Sequence, residues 1–234
     1  MRRVVALGVA AVTAAVLWAV PAGARTSSAG NGEAAKDAAA ILADAKVATG
    51  GAQTLRISGT VKEDGKTMSL DLVSGHGSGG GTIRRDGSTI RIVVHPPNVY
   101  LKADAASWTK LAGTPAAGQL LAGKWLQTTT DDSDFGSFAK LLDASALADG
   151  ITSTGAVTKG KTTTYRGTKA IPLVDGDENG TLYVAATGAP YILGVVGSGS
   201  KQGSEIRFTR YDTAKIPAEP SNSISVSALK SGGA

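Results

Sequence analysis

After Gly51 the apolar residues of this chain fall at every second position: Leu55, Ile57 and Val61, then Met68, Leu70 and Leu72, then Ile90, Ile92 and Val94, with polar residues between them. A period of two sends alternate side chains to opposite faces of an extended strand, so these segments predict half-buried antiparallel strands. The connections agree. Glu63-Asp64-Gly65-Lys66 and Arg85-Asp86-Gly87-Ser88 each centre on Asp-Gly, which tolerates the positive φ angles of a tight hairpin. Strands joined this way pair with their sequence neighbours. Another strand follows Pro96-Pro97 through Val99, Tyr100 and Leu101, and a shorter piece carries Trp108 and Leu111.

Helical spacing frames this meander. Ala34, Ala38, Ile41, Leu42, Ala45 and Ala48 recur on one side, with Glu33 in the first turn and Gly50-Gly51 as the stop. The face is narrow and mostly alanine, so the helix should lie close against another surface. A second helix is predicted from about Ser133 to Leu147, with Phe135, Phe138, Leu141 and Leu142 on one side and Gly150 beyond its end; a short turn fits Pro115 to Leu121. Strand patterns resume at Ile151 to Val157, Thr162 to Leu173, Thr181 to Ala186, Tyr191 to Val196 and Glu205 to Tyr211. The order helix, meander, helix, meander predicts an α+β domain, one large antiparallel sheet with helices on one face.

Residues 1–24 read as a secretory signal peptide: Arg2 and Arg3, an uncharged apolar run from Val4 to Val20, then Pro21-Ala22-Gly23-Ala24 with small residues at the cleavage site. The run is also near the lower length of a membrane span, so an uncleaved anchor is the alternative. Either way the expected address is extracytoplasmic, secreted or in the cell envelope, where chemistry driven by ATP or nicotinamide cofactors has no supply. Residues 25–32 read as a flexible tether, 33–217 as a single domain and 218–234, rich in Ser, Ala and Gly, as a flexible tail. The chain has no Cys, hence no disulfide, no thiolate nucleophile or metal ligand and no thiol to carry an acyl anchor. Its net charge of +5 includes Arg2 and Arg3, and the remaining basic residues are interspersed with acids. No nucleic-acid patch emerges, and a charge of this size implies at most weak, transient contact with anionic head groups.

The chemical motifs dissolve on inspection. Gly155-Ala-Val-Thr-Lys-Gly160-Lys161-Thr162 matches the phosphate-loop pattern, but that loop must open a helix and Thr162 to Tyr165 is β-branched strand; Lys159-Gly160-Lys161 reads as a hairpin tip. Gly75-His76-Gly77-Ser78-Gly79-Gly80 has dinucleotide-fingerprint spacing with no following helix, and reads as a flexible glycine loop or an anion nest. Asp175 to Gly180 begins like a calcium loop but places Ala186 where the bidentate Glu belongs, so an acidic hairpin turn is expected. Ser-x-x-Lys occurs four times, at Ser107, Ser137, Ser198 and Ser227, without partners. His76 and His95 are the only histidines and neither accompanies a nucleophile elbow. No cofactor, metal or enzymatic activity is therefore expected.

The alanine-rich helix before Leu55-Arg-Ile-Ser-Gly59, the stretch Pro97-Asn-Val-Tyr100-Leu101-Lys102 with Trp108 after it, and Gly123-Lys-Trp125-Leu126 occur in order. They are followed by Gly180-Thr-Leu-Tyr183-Val184 through Gly188-Ala-Pro190-Tyr191, and by Ile206-Arg-Phe208 with Tyr211 before Pro217. This series resembles the LppX/LprG family of actinobacterial envelope lipoproteins, related in fold to the LolA and LolB lipoprotein carriers. The resemblance implies a strongly curved antiparallel sheet, an incomplete β-barrel, whose concave face and covering helices enclose a hydrophobic cavity for acyl chains. The chain departs from the family in lacking the lipid-bearing Cys. The implied lining is Leu70, Leu72, Ile90, Ile92, Val99, Leu101, Leu126, Phe138, Leu142, Val184 and Ile192; the same alternation would serve a solid core equally well. The function implied is a monomeric, non-enzymatic carrier of a lipid or acylated glycolipid. A secreted structural or interaction module with a filled interior is the alternative.

Overall fold

The computed structural model describes residues 30–63, 65–132, 142–152, 157–175 and 180–231. The alternating segments become strands β1 (Leu55–Glu63), β2 (Lys66–Gly75), β3 (Ser78–Arg85), β4 (Ser88–His95), β5 (Asn98–Ala103) and β6 (Trp125–Thr129), each antiparallel to the next. Asp86 and Gly87 both take positive φ, 50° and 77°, as a tight two-residue hairpin requires. The second meander comprises β7 (Val157–Lys159), β8 (Thr163–Tyr165), β9 (Thr168–Asp175), β10 (Gly180–Ala185), β11 (Ile192–Gly197) and β12 (Glu205–Thr209). β12 returns to β1, with Ile57 opposite Phe208, and joins the two meanders. With β13 (Ser223–Ser225) they make one thirteen-stranded sheet in the order β13-β6-β5-β4-β3-β2-β1-β12-β11-β10-β9-β7, with β8 also on β9. Among the described residues its two ends do not pair, so the sheet is open, and the α+β architecture is as expected.

Five helices accompany it among the described residues: α1 (Ala38–Gly50), α2 (Ala105–Ala112), α3 (Pro115–Leu121), α4 (Ala144–Thr152) and α5 (Val226–Ser231). α1 begins later than the apolar spacing suggested. The Asp37 carboxylate accepts the Ala40 N–H at 2.8 Å and caps it, while Glu33–Ala35 form a separate 3-10 turn. The piece carrying Trp108 and Leu111 is helix α2, because Asp104 caps it through the Ser107 N–H at 2.7 Å and Gly113 ends it at a φ of 76°. In the second helical region 133–141 lie outside the described residues, with Phe135, Phe138 and Leu141 among them. α4 starts at Ala144, where Asp143 accepts the Ser145 and Ala146 N–H groups, and runs through Gly150 to Thr152, displacing the strand expected from Ile151.

Two loop readings change as well. Of the glycine run only His76-Gly77 turns, and Ser78 to Gly81 belong to β3. The missing side chains make room on both faces: a Cβ on Gly79 would lie 3.3 Å from Leu142 Cβ, and one on Gly80 would lie 3.2 Å from Pro217 Cγ. Lys159-Gly160-Lys161 is no hairpin tip, since β7 and β8 both pair along one edge of β9 and the interruption falls opposite Pro172. Proline has no N–H to extend that ladder; its carbonyl still accepts from Gly160 at 2.8 Å. The hairpin in this region turns instead at Arg166-Gly167, both at positive φ. Asp175 and Gly180 pair at the ends of β9 and β10, and 176–179 lie outside the described residues.

The stretch read as a tail is a strap. Just before it, Asp212 ties the chain to the entry of β1: its carboxylate accepts the Gln53 N–H and its own N–H donates to the Thr54 carbonyl, each at 2.7 Å. His95 Nε2 lies 2.7 Å from the Pro217 carbonyl oxygen, the Tyr100 hydroxyl donates to Glu219 at 3.2 Å, and Ser223 donates to Gln127 at 3.1 Å. The strap thus crosses β4 and β5 and ends as β13, parallel to β6 with Ile224 opposite Leu126. Val93 and Tyr100, on the face it covers, are 5% and 4% exposed. At the other end ordered pairing starts inside the expected tether: Gly30 bridges Thr187 and the Asn31 amide donates to the Ala185 and Gly188 carbonyls.

Candidate functional site

Register defines the face opposite the strap. Leu126, Leu101, Ile92, Gly81, Leu72, Ile57 and Phe208 stand directly opposite one another, strand by strand, from β6 to β12. Flanking this row are Val99 opposite Val94, and Ser74 opposite Gly79, where Ser74 Oγ donates to the Leu142 carbonyl at 2.6 Å. Leu142 therefore lies over the middle of the sheet on this face. At the far end Val184 and Ile192 pair across β10 and β11, and the Ile192 N–H donates to Thr49 Oγ1 of α1 at 3.0 Å.

Leu72, Ile92, Val99, Leu101, Leu126, Leu142, Val184 and Ile192 are each at most 4% exposed and share one apolar cluster. These eight pack against protein. Leu70 and Ile90 differ: they are half-buried at the margin of that cluster. Phe138 lies outside the described residues.

Leu70 and Ile90 belong to a second row one step along the strands. Ile90 faces Ile83, Ile83 faces Leu70, Leu70 faces Gly59, Gly59 faces Ile206 and Ile206 faces Val195. Ile90, Ile83, Leu70, Ile206 and Val195 are all half-buried, whereas Ala103 and Leu182 at the row's two ends are buried. Val61 and Met68, paired beside it, are half-buried too. Six neighbouring strands at a spacing of about 4.8 Å make this apolar strip roughly 24 Å long. Such a strip offers methyl and methylene surface with no side-chain hydrogen-bonding group, so it suits an alkyl chain.

Sequence reasoning missed Ile83, Ile206, Val195 and Met68 as site residues. Ile83 was hidden behind the glycine run, which disguised β3. Ile206 and Val195 could not be found from local pattern, because their place beside Leu70 depends on β12 returning to β1, a pairing of residues about 150 positions apart.

Two polar clusters among the described residues are held in structural bonds. Tyr165 stacks on Tyr183 at 4.3 Å and donates to Glu205 at 2.8 Å, and Arg166 Nε donates to the same carboxylate at 3.0 Å. Burial, and then the Glu205 bond, push the Tyr165 hydroxyl well above its ordinary value; the Arg166 bond holds the Glu205 carboxyl below its own. Tyr191 stacks on Tyr211 at 3.9 Å, and the Tyr211 hydroxyl donates to the Ile192 carbonyl. Among the described residues no three His, Asp or Glu side chains converge as a metal set, and no helix is long and apolar enough to cross a membrane. A cleft of about 760 Å³ lies between the strap and β6, lined by Lys102, Lys124, Trp125 and Pro220 to Ile224. It contains none of the expected lining residues.

No protein-family model matches the chain, and no curated protein sequence does. Among solved structures, LprF from Mycobacterium bovis matches with a TM-score of 0.50 at 14% identity, over 77% of this chain and 96% of LprF. The Mycobacterium tuberculosis lipoprotein LppX matches with a TM-score of 0.46 at 13% identity, over 76% of this chain and 99% of LppX. An uncharacterized conserved protein from Thermus thermophilus follows at 0.40 and 9%, over 81% and 98%. The chain shares the fold of LprF, as the sequence resemblance implied, and at such identities the likeness is one of fold.

Proposed function

We propose that the protein is an extracytoplasmic carrier that holds the acyl chains of a lipid or lipoglycan against the inner face of its sheet. The observation that carries this reading is the half-buried row Ile90, Ile83, Leu70, Ile206 and Val195 beside a row whose apolar side chains are buried. A row left partly open between sealed ends is where an added chain gains burial, at about 0.8 kcal/mol per methylene. Shielding of this kind needs no nucleophile, and the polar groups described above are occupied in structural bonds. The signal peptide expected at residues 1–24 would deliver the domain to the envelope, where such lipids are made available to it.

A second reading has its own support. Eight of the expected lining residues are packed to at most 4% exposure, which favours a structural or interaction module with a filled interior. Purified protein extracted with organic solvent and read by mass spectrometry separates the two. The carrier reading expects co-purifying or exchangeable lipid, and its loss in Ile83→Glu. Protein that stays lipid-free after incubation with envelope lipids would leave the module reading.

A further inference from the structure

Arg91 and Lys102 stand directly opposite each other on β4 and β5, on the strap-covered face. Like charges in that relation repel, and neither meets a carboxylate in an ion pair among the described residues. Lys102 Nζ lies 5.9 Å from the ring centroid of Trp125, its neighbour on β6. The acids nearby are engaged otherwise: Asp104 accepts the Ser107 and Thr89 N–H groups at 2.7 and 2.6 Å, and Glu219 accepts the Tyr100 hydroxyl. Two adjoining clefts of about 760 and 500 Å³ share Lys102 and Gly123; Arg91 lines one, Lys124 and Trp125 the other. The cluster is a cationic depression in which Arg91, Lys102 and Lys124 outnumber the one lining carboxylate, Asp104.

An apolar feature leaves from the same place. The α2–α3 hairpin starts at Asp104 and Ala105 and returns at Ala122 and Gly123, all lining the second cleft. It carries Leu111 and Leu120 at 43% and 60% exposure, two of the exposed large apolar side chains among the described residues, with Lys110 beside Leu111 in the chain. Exposed leucines on a hairpin rooted in a net-cationic cleft supply the two components of interfacial membrane binding.

We infer that this corner docks the protein on an anionic lipid bilayer. Arg91, Lys102 and Lys124 receive the phosphate groups of lipid head groups, and Leu111 and Leu120 enter the acyl boundary beside them. The inference rests on the carrier reading, since a carrier must meet a bilayer to load and unload.

The full chain is tested for binding to vesicles of phosphatidylcholine alone and of phosphatidylcholine mixed with phosphatidylglycerol, so that any affinity of the apolar N-terminal run is common to all samples. The wild type is expected to prefer the phosphatidylglycerol vesicles and to be released by salt. Arg91→Glu/Lys102→Glu should lose that preference, with affinity about tenfold lower or less; Leu111→Ser/Leu120→Ser should bind more weakly but keep it. Circular dichroism verifies that both variants are folded. Vesicle binding blind to phosphatidylglycerol, unchanged binding by the charge-reversed variant, or binding only of soluble glycerol phosphate each overturns the inference. Lipid content of the wild type, measured in parallel, keeps the readings apart: a lipid-loaded protein blind to head-group charge defeats docking alone, and a lipid-free protein that docks defeats the carrier alone.

Discussion

Pro217 lies over Gly80, close enough that a Cβ on the glycine would sit 3.2 Å from the proline Cγ. The same Cβ would come within 2.6 Å of the Ile92 carbonyl oxygen, which is backbone and cannot swing aside. Gly80→Val should therefore lift the strap and strain β3 together. A loss of about 2 kcal/mol is expected, read as a lower urea midpoint. An unchanged midpoint would mean that the strap is not seated on this glycine.

The two inner rows should respond differently to truncation. Leu101 is 2% exposed in the sealed row, and Leu101→Ala should cost about 3 kcal/mol. Ile83 is half-buried, so Ile83→Ala should cost only about 1 kcal/mol while lowering the amount of lipid recovered. Equal stability losses without an effect on lipid would place both residues in one solid core.

Glu205 predicts a pH dependence. The Arg166 hydrogen bond is the main cause that holds its carboxyl below the ordinary 4.5, against a smaller opposing effect of burial. A carboxyl depressed on folding stabilises the native state above its unfolded pKa, and that contribution drains away as pH falls from about 4.5 through the folded value. Glu205→Gln should flatten this limb of the stability curve, measured as thermal midpoint against pH. Tyr165 acts at the opposite end: its raised hydroxyl favours the fold below pH 10 and ceases to do so as pH rises beyond it.

Ile224 is half-buried on β13, opposite Leu126 at the edge of the sheet. Ile224→Asp puts a carboxylate against apolar neighbours and should free the strap, at a cost of about 2 kcal/mol. Limited proteolysis is the sensitive assay, with faster cleavage expected between Ala214 and Ser223. The exposure of Val93 and Tyr100 should rise with it, seen as increased binding of a hydrophobic dye.

Much of this molecule was legible because alternation and turn chemistry are local. Leu55, Ile57 and their counterparts declared the strands, and Asp86-Gly87 declared a hairpin. Where a tertiary partner replaced a local signal, reading failed. Gly79 and Gly80 looked like a loop because their purpose is the approach of Leu142 and Pro217 from opposite faces. The residues after Pro217 looked unstructured because their stability comes from His95, Tyr100, Gln127 and Leu126, all roughly a hundred positions away.

By itself the sequence determined the α+β class, the antiparallel meanders and the absence of thiol chemistry, since side-chain period, turn propensity and residue identity are carried by neighbouring positions. Only the tertiary structure decided which apolar residues are sealed and which remain half-open. Leu72 and Leu70 are two residues apart on the same face of β2 and look equivalent in the sequence. One meets Ile57 and Gly81 in the buried row, and the other meets Gly59 and Ile83 in the accessible one. That difference arises from strand register and from what covers each row, neither of which is a property of either leucine.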